Sequence, residues 1–590
     1  MRRRRGVLWV PMMVVVCGLA ACAGGGRGST PAVPAHSAAT ARPATSFDAG
    51  LTQVVNSSAS AGGVLTFDLA GAPDSLDYQN TSDEYVADFA RLYSMQLMTY
   101  RSCPGSCGLQ LVPGLAAAPG QVSDHGLVWT YHLRPDVRFQ DGQLVTSADV
   151  KYGIERSYSR AVLPFGPDIF QNLLADPGYA GPYADPAGSL TSIATPNATT
   201  IQFRLAAPFA DFNYVVAGLQ STPVPPSWDS GSHRGASFQL DPISTGPYEF
   251  RSYEPGKLLV LVRNPYWRQA IDPEVRQLPA EIVVHMGLSQ HAVAGALLAG
   301  TADADLSGTG LQGQDATQVL GAAASRANAD DPYDGLLEFA YLNVQVIPDL
   351  HCREAIEYAA NKTAMLAAFG GPTAGAIAST VLPPTIPGYQ SFAGYAAAAD
   401  PGGAVAAAKA QLRSCGRPHG FSTAIAYRTD DPAEEAAAQA LRVSLARAGI
   451  GARLVALPYW SYYSESAGNP AYVDSHHLGI LMGQWRATWP DGYAFLDELS
   501  AGNAISYGGG NINIAQLDDP TVNGLLGRER SAASAAGAAV WHQTSQRIMA
   551  EAAILPIADQ KAVLYRNPRL TNVYADEAYG LYNYAVLGVR

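Results

Sequence analysis

The residues with the chemistry to hold a small polar molecule gather between Leu478 and Asn513. An apolar run, Gly479 to Gly483, delivers Gln484-Trp485-Arg486-Ala487-Thr488-Trp489-Pro490-Asp491-Gly492 at its end, and a Gly- and Asn-rich stretch with Tyr507 and Asn511 follows. Indole and phenol rings offer an apolar body and a polar tip, so aromatics beside amides, hydroxyls and a carboxylate suit capture of a polar organic molecule. Strand ends that feed polar loops are common ligand sites in α/β proteins. Trp489 would serve equally well as core. A second dense group, Tyr459, Trp460, Tyr462 and Tyr463, is either a surface that meets ligand or a buried patch, and burial is favoured.

Signs of bond-making chemistry are missing. The chain has no GxSxG elbow, no HExxH helix, no P-loop and no Rossmann glycine fingerprint, so neither an enzyme nor a cofactor is expected. The adjacent His476 and His477 would point to opposite faces of a strand, with no carboxylate or thiol spaced for chelation, so no metal is expected there. A formal net charge of −12 and no basic stripe make nucleic acid an unsuitable partner.

Arg2 to Arg5 and the apolar run Val7 to Ala21 form an export signal, too short for a comfortable span of roughly 20 residues. Leu19-Ala20-Ala21-Cys22 resembles a bacterial lipobox, which implies cleavage before Cys22 and a lipid on its thiol, anchoring the chain to the outer face of the cell membrane. Residues 23 to 60 are almost entirely Ala, Gly, Ser, Thr and Pro and read as a flexible tether spanning about 35 Å. Of six cysteines, Cys17 leaves with the signal and Cys22 is the lipid site. Cys103 and Cys107 enclose a turn and form a candidate local disulfide, and Cys352 with Cys415 is the remaining candidate pair.

The body from 61 to 590 is too long for one core and calls for two or three lobes, the size of a closing cleft. Tyr248–Tyr253 and Leu258–Val262 flank Glu254-Pro255-Gly256-Lys257, a type II-like turn joining two antiparallel strands. Helical spacing runs from Tyr85 to Tyr100, and Trp129, Tyr131 and Leu133 alternate as a half-buried strand. Asp141-Gly142 marks a tight turn and Thr146 to Asp149 a capped helix start, so both aspartates are expected to be structural. Further strands are expected at Val64–Leu69, Ile282–Met286 and Ile450–Leu457, and helices at Val293–Ala304, Glu354–Phe369, Ala404–Ser414 and Glu434–Gly449.

Four separated segments resemble the family 5 extracellular solute-binding proteins, the peptide, nickel and opine receptors of ABC importers. They are Ala72-Pro-Asp-Ser-Leu-Asp77 with Tyr78 where the family usually has proline, Trp129 to Arg156, Thr245-Gly-Pro-Tyr248 through Arg263-Asn-Pro-Tyr-Trp267, and Phe339 to Asn343 with Pro348 and Arg353. The resemblance implies an α/β, two-lobed fold of the periplasmic-binding-protein type II class, in its large cluster with an extra inserted domain. The implied division is signal 1–21, linker 22–60, first lobe 61–100, inserted domain 101–238, first lobe again 239–338, second lobe 339–552 and a return to the first lobe at 553–590. It implies a monomer that takes short peptides, passes them to a permease and its ATPase, and is held to the membrane by its N-terminal lipid. Its ligand-binding candidates are Trp485, Thr488, Trp489, Asp491, Tyr507 and Asn511. Relatives carry an aspartate three residues after the tryptophan that pairs with a peptide's amino terminus. Here Thr488 stands at that position, and Asp491 matches a later acidic one and could turn inward. A non-peptide solute, such as an oligosaccharide, an opine-like compound or a metal chelate, is the alternative ligand, and a sensing lipoprotein without transport the alternative role.

Overall fold

Three sheets of four or more strands, with four two-stranded ones beside them, form in the computed structural model, which describes residues 46–590 except 177, 373, 396–399 and 530–536. The export signal and Cys22 lie outside the described residues. Among the described residues no helix is long and apolar enough to cross a membrane.

The first sheet has five strands, in the order Ala304–Asp305, Val64–Ala70, Glu281–Leu288, Leu258–Arg263 and Tyr248–Glu254. Val64–Ala70 runs parallel to both of its neighbours, and the other pairs are antiparallel. The expected hairpin is its edge. Its turn closes with the Lys257 amide donating to the Glu254 carbonyl at 3.0 Å, and Gly256 takes φ +70, which only glycine adopts without strain.

The residues framing this hairpin clamp another part of the chain. The Thr245 hydroxyl accepts from the Met95 amide, the Tyr248 amide donates to the Leu92 carbonyl, and Asn264 donates to the Gly246 carbonyl. A Cβ on Gly246 would lie 2.7 Å from the Tyr93 and Ser94 backbone, so the position admits only glycine. The clamped segment directly follows the helix Glu84–Ala90. The helical spacing read as far as Tyr100 therefore stops ten residues early, and Met98–Tyr100 becomes a strand paired with Leu111–Pro113, because the hairpin frame and that pairing claim the backbone bonds a helix would need.

A four-stranded antiparallel sheet, Gln121–Ser123, Val128–His132, Thr200–Arg204 and Ile193–Asn197, packs with the helix Ser147–Ser157. Thr146 and Asp149 form a reciprocal capping box at that helix, and Asp141 accepts from the Gln143 amide, so both aspartates are spent on local structure. At the helix end Arg156 is fully buried and meets Asp77 through two nitrogens at 2.7 and 2.9 Å and Asp229 at 3.2 Å. Two of the sequence motifs thus hold one buried ion network.

The second large sheet has six strands, in the order Gly375–Ile377, Ile554–Lys561, Tyr333–Leu342, Ile480–Trp485, Ser422–Arg428 and Gly451–Leu457. Helices Leu350–Ala359, Lys362–Ala368, Val405–Ser414 and Pro432–Ala448 share an apolar core with it. Both disulfides form: Cys103–Cys107 with Cα atoms 5.8 Å apart, and Cys352–Cys415 at 5.5 Å, joining two of those helices.

The tether reading fails for its last part. Ala49–Thr52 is a helical turn whose Gly50 amide donates to the buried Asp330 carboxylate, and Val55 pairs with Val573. Small residues reach order there by borrowing distant partners, Asp330 and Val573, which composition cannot register.

Candidate functional site

A cavity of about 610 Å³ lies between two walls, the second formed around the end of strand Ile480–Trp485 in the six-stranded sheet. One wall brings Thr81 to Tyr85, placed by the hairpin frame that fixes their helix, and Tyr214 with Gly218 to Gln220 from beside the four-stranded sheet. The other brings Gln484 to Trp489 at the end of strand Ile480–Trp485, with Tyr459, Trp460 and Tyr463 beside them. Asp334, Leu336 and Gln560 to Ala562 line the floor where the central strands begin and end. The volume lies within the roughly 300–1,000 Å³ of small-molecule pockets.

Three of the expected residues face this space: Trp485, Thr488 and Trp489. The Trp485 indole N–H is buried and has no hydrogen-bond partner among the described residues. Trp489 reaches across the cavity. Its indole N–H donates to Asp211 Oδ2 at 2.9 Å, its ring stacks on Tyr214 at 15° and it meets Phe209 edge-on.

The other three do not line the cavity. Asp491 caps the helix Gly492–Ser500 by accepting from the Tyr493 amide and also takes the Trp541 indole N–H at 3.2 Å, so its carboxylate is committed to the fold. Burial raises its carboxyl above the usual range, against hydrogen bonds shared with Tyr493, Asp211 and Trp541 that lower it. Asn511 is 1% exposed and holds its own loop by donating to the Asn513 carbonyl. Tyr507 is 74% exposed, outside the walls. The aromatic group splits: Tyr462 is buried with its hydroxyl on the Met482 carbonyl, whereas Trp460, 70% exposed, lines the cavity with Tyr459 and Tyr463.

The charges of the cavity went unassigned at the sequence level. Arg486 Nη2 pairs with Asp334 Oδ2 at 3.1 Å and Nη1 with Glu84 Oε2 on the facing wall. Burial lowers the guanidinium's proton affinity, but the two carboxylates outweigh it and hold the group above its ordinary range. Lys561 pairs with Asp331 at 3.0 Å and lies 4.9 Å from the Tyr333 ring centre. Stacking surfaces and paired charges suit reversible capture of a polar molecule with apolar parts.

Residues 110–507 match the family described as "Bacterial extracellular solute-binding proteins, family 5 Middle". A solved structure called clavulanic acid biosynthesis oligopeptide binding protein 2 is 37% identical with a TM-score of 0.86, covering 93% of this chain and 99% of that one. The glutathione-binding protein GsiB of Salmonella paratyphi A is 24% identical over 66% of this chain and 69% of its own length. The probable D,D-dipeptide-binding periplasmic protein of Escherichia coli K12 is 29% identical, over 35% of this chain and 36% of its own length. The two-lobed type II fold, the cleft and the family match agree: this chain belongs to family 5 of the bacterial extracellular solute-binding proteins.

Proposed function

We propose that the protein is the receptor of an ABC importer, capturing short peptides between its two walls and passing them to a membrane permease driven by an ATPase. The observation that carries this reading is the two-walled cavity lined by Trp485, Thr488 and Trp489, set in a chain that resembles an oligopeptide-binding protein over nearly its whole length. An extended peptide backbone would be held by hydrogen bonds from both walls, with side groups in the hydrated remainder of the cavity. Closure is a hinge motion favoured by contacts that exist only when the walls meet. The receptor acts as a monomer, held outside the cell by a lipid on Cys22.

One observation favours a second reading. Thr488 is neutral and Asp491 is tied to a helix cap, so neither offers a free carboxylate to a peptide amino terminus. A solute without that amine is therefore the alternative. Native mass spectrometry of the purified protein, followed by thermal shift against a peptide library, separates the two. A bound peptide at 100 times its Kd adds about 2.7 kcal/mol. A shift with another solute class and none with any peptide refutes the peptide reading.

A further inference from the structure

We propose that Arg486 works as a tethered cation that draws the two walls of the cleft together before any ligand arrives; the idea rests on the two-walled receptor described above. Strand Tyr333–Leu342 runs antiparallel to Ile480–Trp485 with Leu337 opposite Trp485, which sets Asp334 near Arg486 on the same wall. The 3.1 Å pair with Asp334 aims the guanidinium. Gly335, in the first of these strands at φ +84, lies against the arginine stem, where a Cβ would sit in ordinary contact 3.8 Å from its Cγ. The guanidinium's other terminal nitrogen then crosses to Glu84, in the first turn of a helix on the facing wall. A planar fork with donors on two edges can serve two carboxylates at once, which a point charge does less well.

The bridge is placed to act on closure rather than on folding. Asp334 and Arg486 share a sheet and stay together when the walls part, whereas the bond to Glu84 exists only when they meet. The Glu84 side chain is 44% exposed, so water and salt reach the crossing bond. Trp489 with Asp211 makes a second crossing contact of different chemistry. The cleft is therefore closed by its own side chains, and a ligand adds to a bias that already exists.

Small-angle X-ray scattering of the full protein, freed of retained ligand, reads closure as the radius of gyration. Arg486→Ala is expected to show a larger radius than the natural protein at low salt, and Arg486→Lys an intermediate one. Millimolar methylguanidinium, which carries the same planar cation, should return Arg486→Ala toward the natural radius, whereas urea, neutral and of similar shape, should not. Molar sodium chloride should enlarge the natural protein and leave Arg486→Ala unchanged. An unchanged radius in Arg486→Ala, a change that methylguanidinium fails to recover, or equal recovery by urea each overturns the proposal. If Arg486→Ala does not fold, the salt response decides: no response in the natural protein, or the same response in Glu84→Gln, overturns it. No peptide is needed in these measurements. A library without binders would refute the peptide reading and leave the bridge standing, and an unchanged radius would do the reverse.

Discussion

Trp489→Phe should weaken ligand binding about tenfold without unfolding the protein. The substitution removes one bond, the indole N–H donated to Asp211 Oδ2 at 2.9 Å, and leaves a ring able to keep the stack on Tyr214 and the edge contact with Phe209. A hydrogen bond to a charged group is worth roughly 1.5–3 kcal/mol. Both residues keep some contact with water, so Asp211 can rehydrate and the low end applies, about 1.5 kcal/mol, or tenfold in an equilibrium constant. The bond crosses the cleft, so its loss acts on closure and reaches the ligand as a smaller competent fraction and a larger apparent Kd. Calorimetric titration with a peptide found by thermal shift measures the change. The cycle of Trp489→Phe, Asp211→Asn and the double variant isolates the bond from the packing lost with the indole. A Kd within about twofold of the natural protein, or single effects that simply add, would refute the reasoning.

Three further outcomes follow from the same structure. Arg156→Ala strands Asp77 and Asp229 as buried charges and should cost about 3–5 kcal/mol in denaturant unfolding. Burial, then the neighbouring Asp497, raises the Glu498 carboxyl from 4.5 to about 7, so the folded state holds this proton more tightly than the unfolded chain. The associated stability is complete below 4.5 and lost as pH rises through about 7; at higher pH Glu498→Gln should be the more stable protein by up to about 3 kcal/mol and lose less melting temperature between mildly acidic and mildly basic buffer. The two disulfides should differ in worth: Cys352–Cys415 spans 63 residues and Cys103–Cys107 only 4. Loop entropy gives about 4 against about 2 kcal/mol, read as the loss of stability in paired Cys→Ala variants.

Much of the fold was legible because its signals are local. A turn tetrapeptide, a capping box and an alternating Trp129, Tyr131 and Leu133 each state a conformation within a few residues, and the structure has all three. The readings that failed depended on distant partners. The spacing from Tyr85 to Tyr100 keeps its helical period, yet the chain leaves the helix at Ala90 because Thr245, Tyr248 and Leu111–Pro113 bind the backbone that follows. Residues 46–60 look like linker by composition and are ordered by Asp330, Leu570 and Val573.

The site divides along the same line, and the division explains why its aromatic residues were easier to find than its charged ones. Trp485 and Trp489 stand out alone, since an indole is rare and its large apolar face must be covered by something. A charge carries no such mark, because an isolated Glu, Asp or Arg is what any solvated surface shows. Glu84 and Arg486 lie 402 residues apart, and nothing near either one announces the other. Their pairing needs the hairpin frame to fix one wall and the antiparallel register of Tyr333–Leu342 with Ile480–Trp485 to place Asp334 beside the arginine on the other. Asp491 shows the converse error: a carboxylate in a promising loop offers itself for a ligand role, but its bonds, those from Tyr493 and Trp541 among them, commit it to the fold. A polar group's role is therefore set by which partners the fold leaves it, and in this cleft Asp491 is spent on a helix cap while Arg486 is left to join the walls.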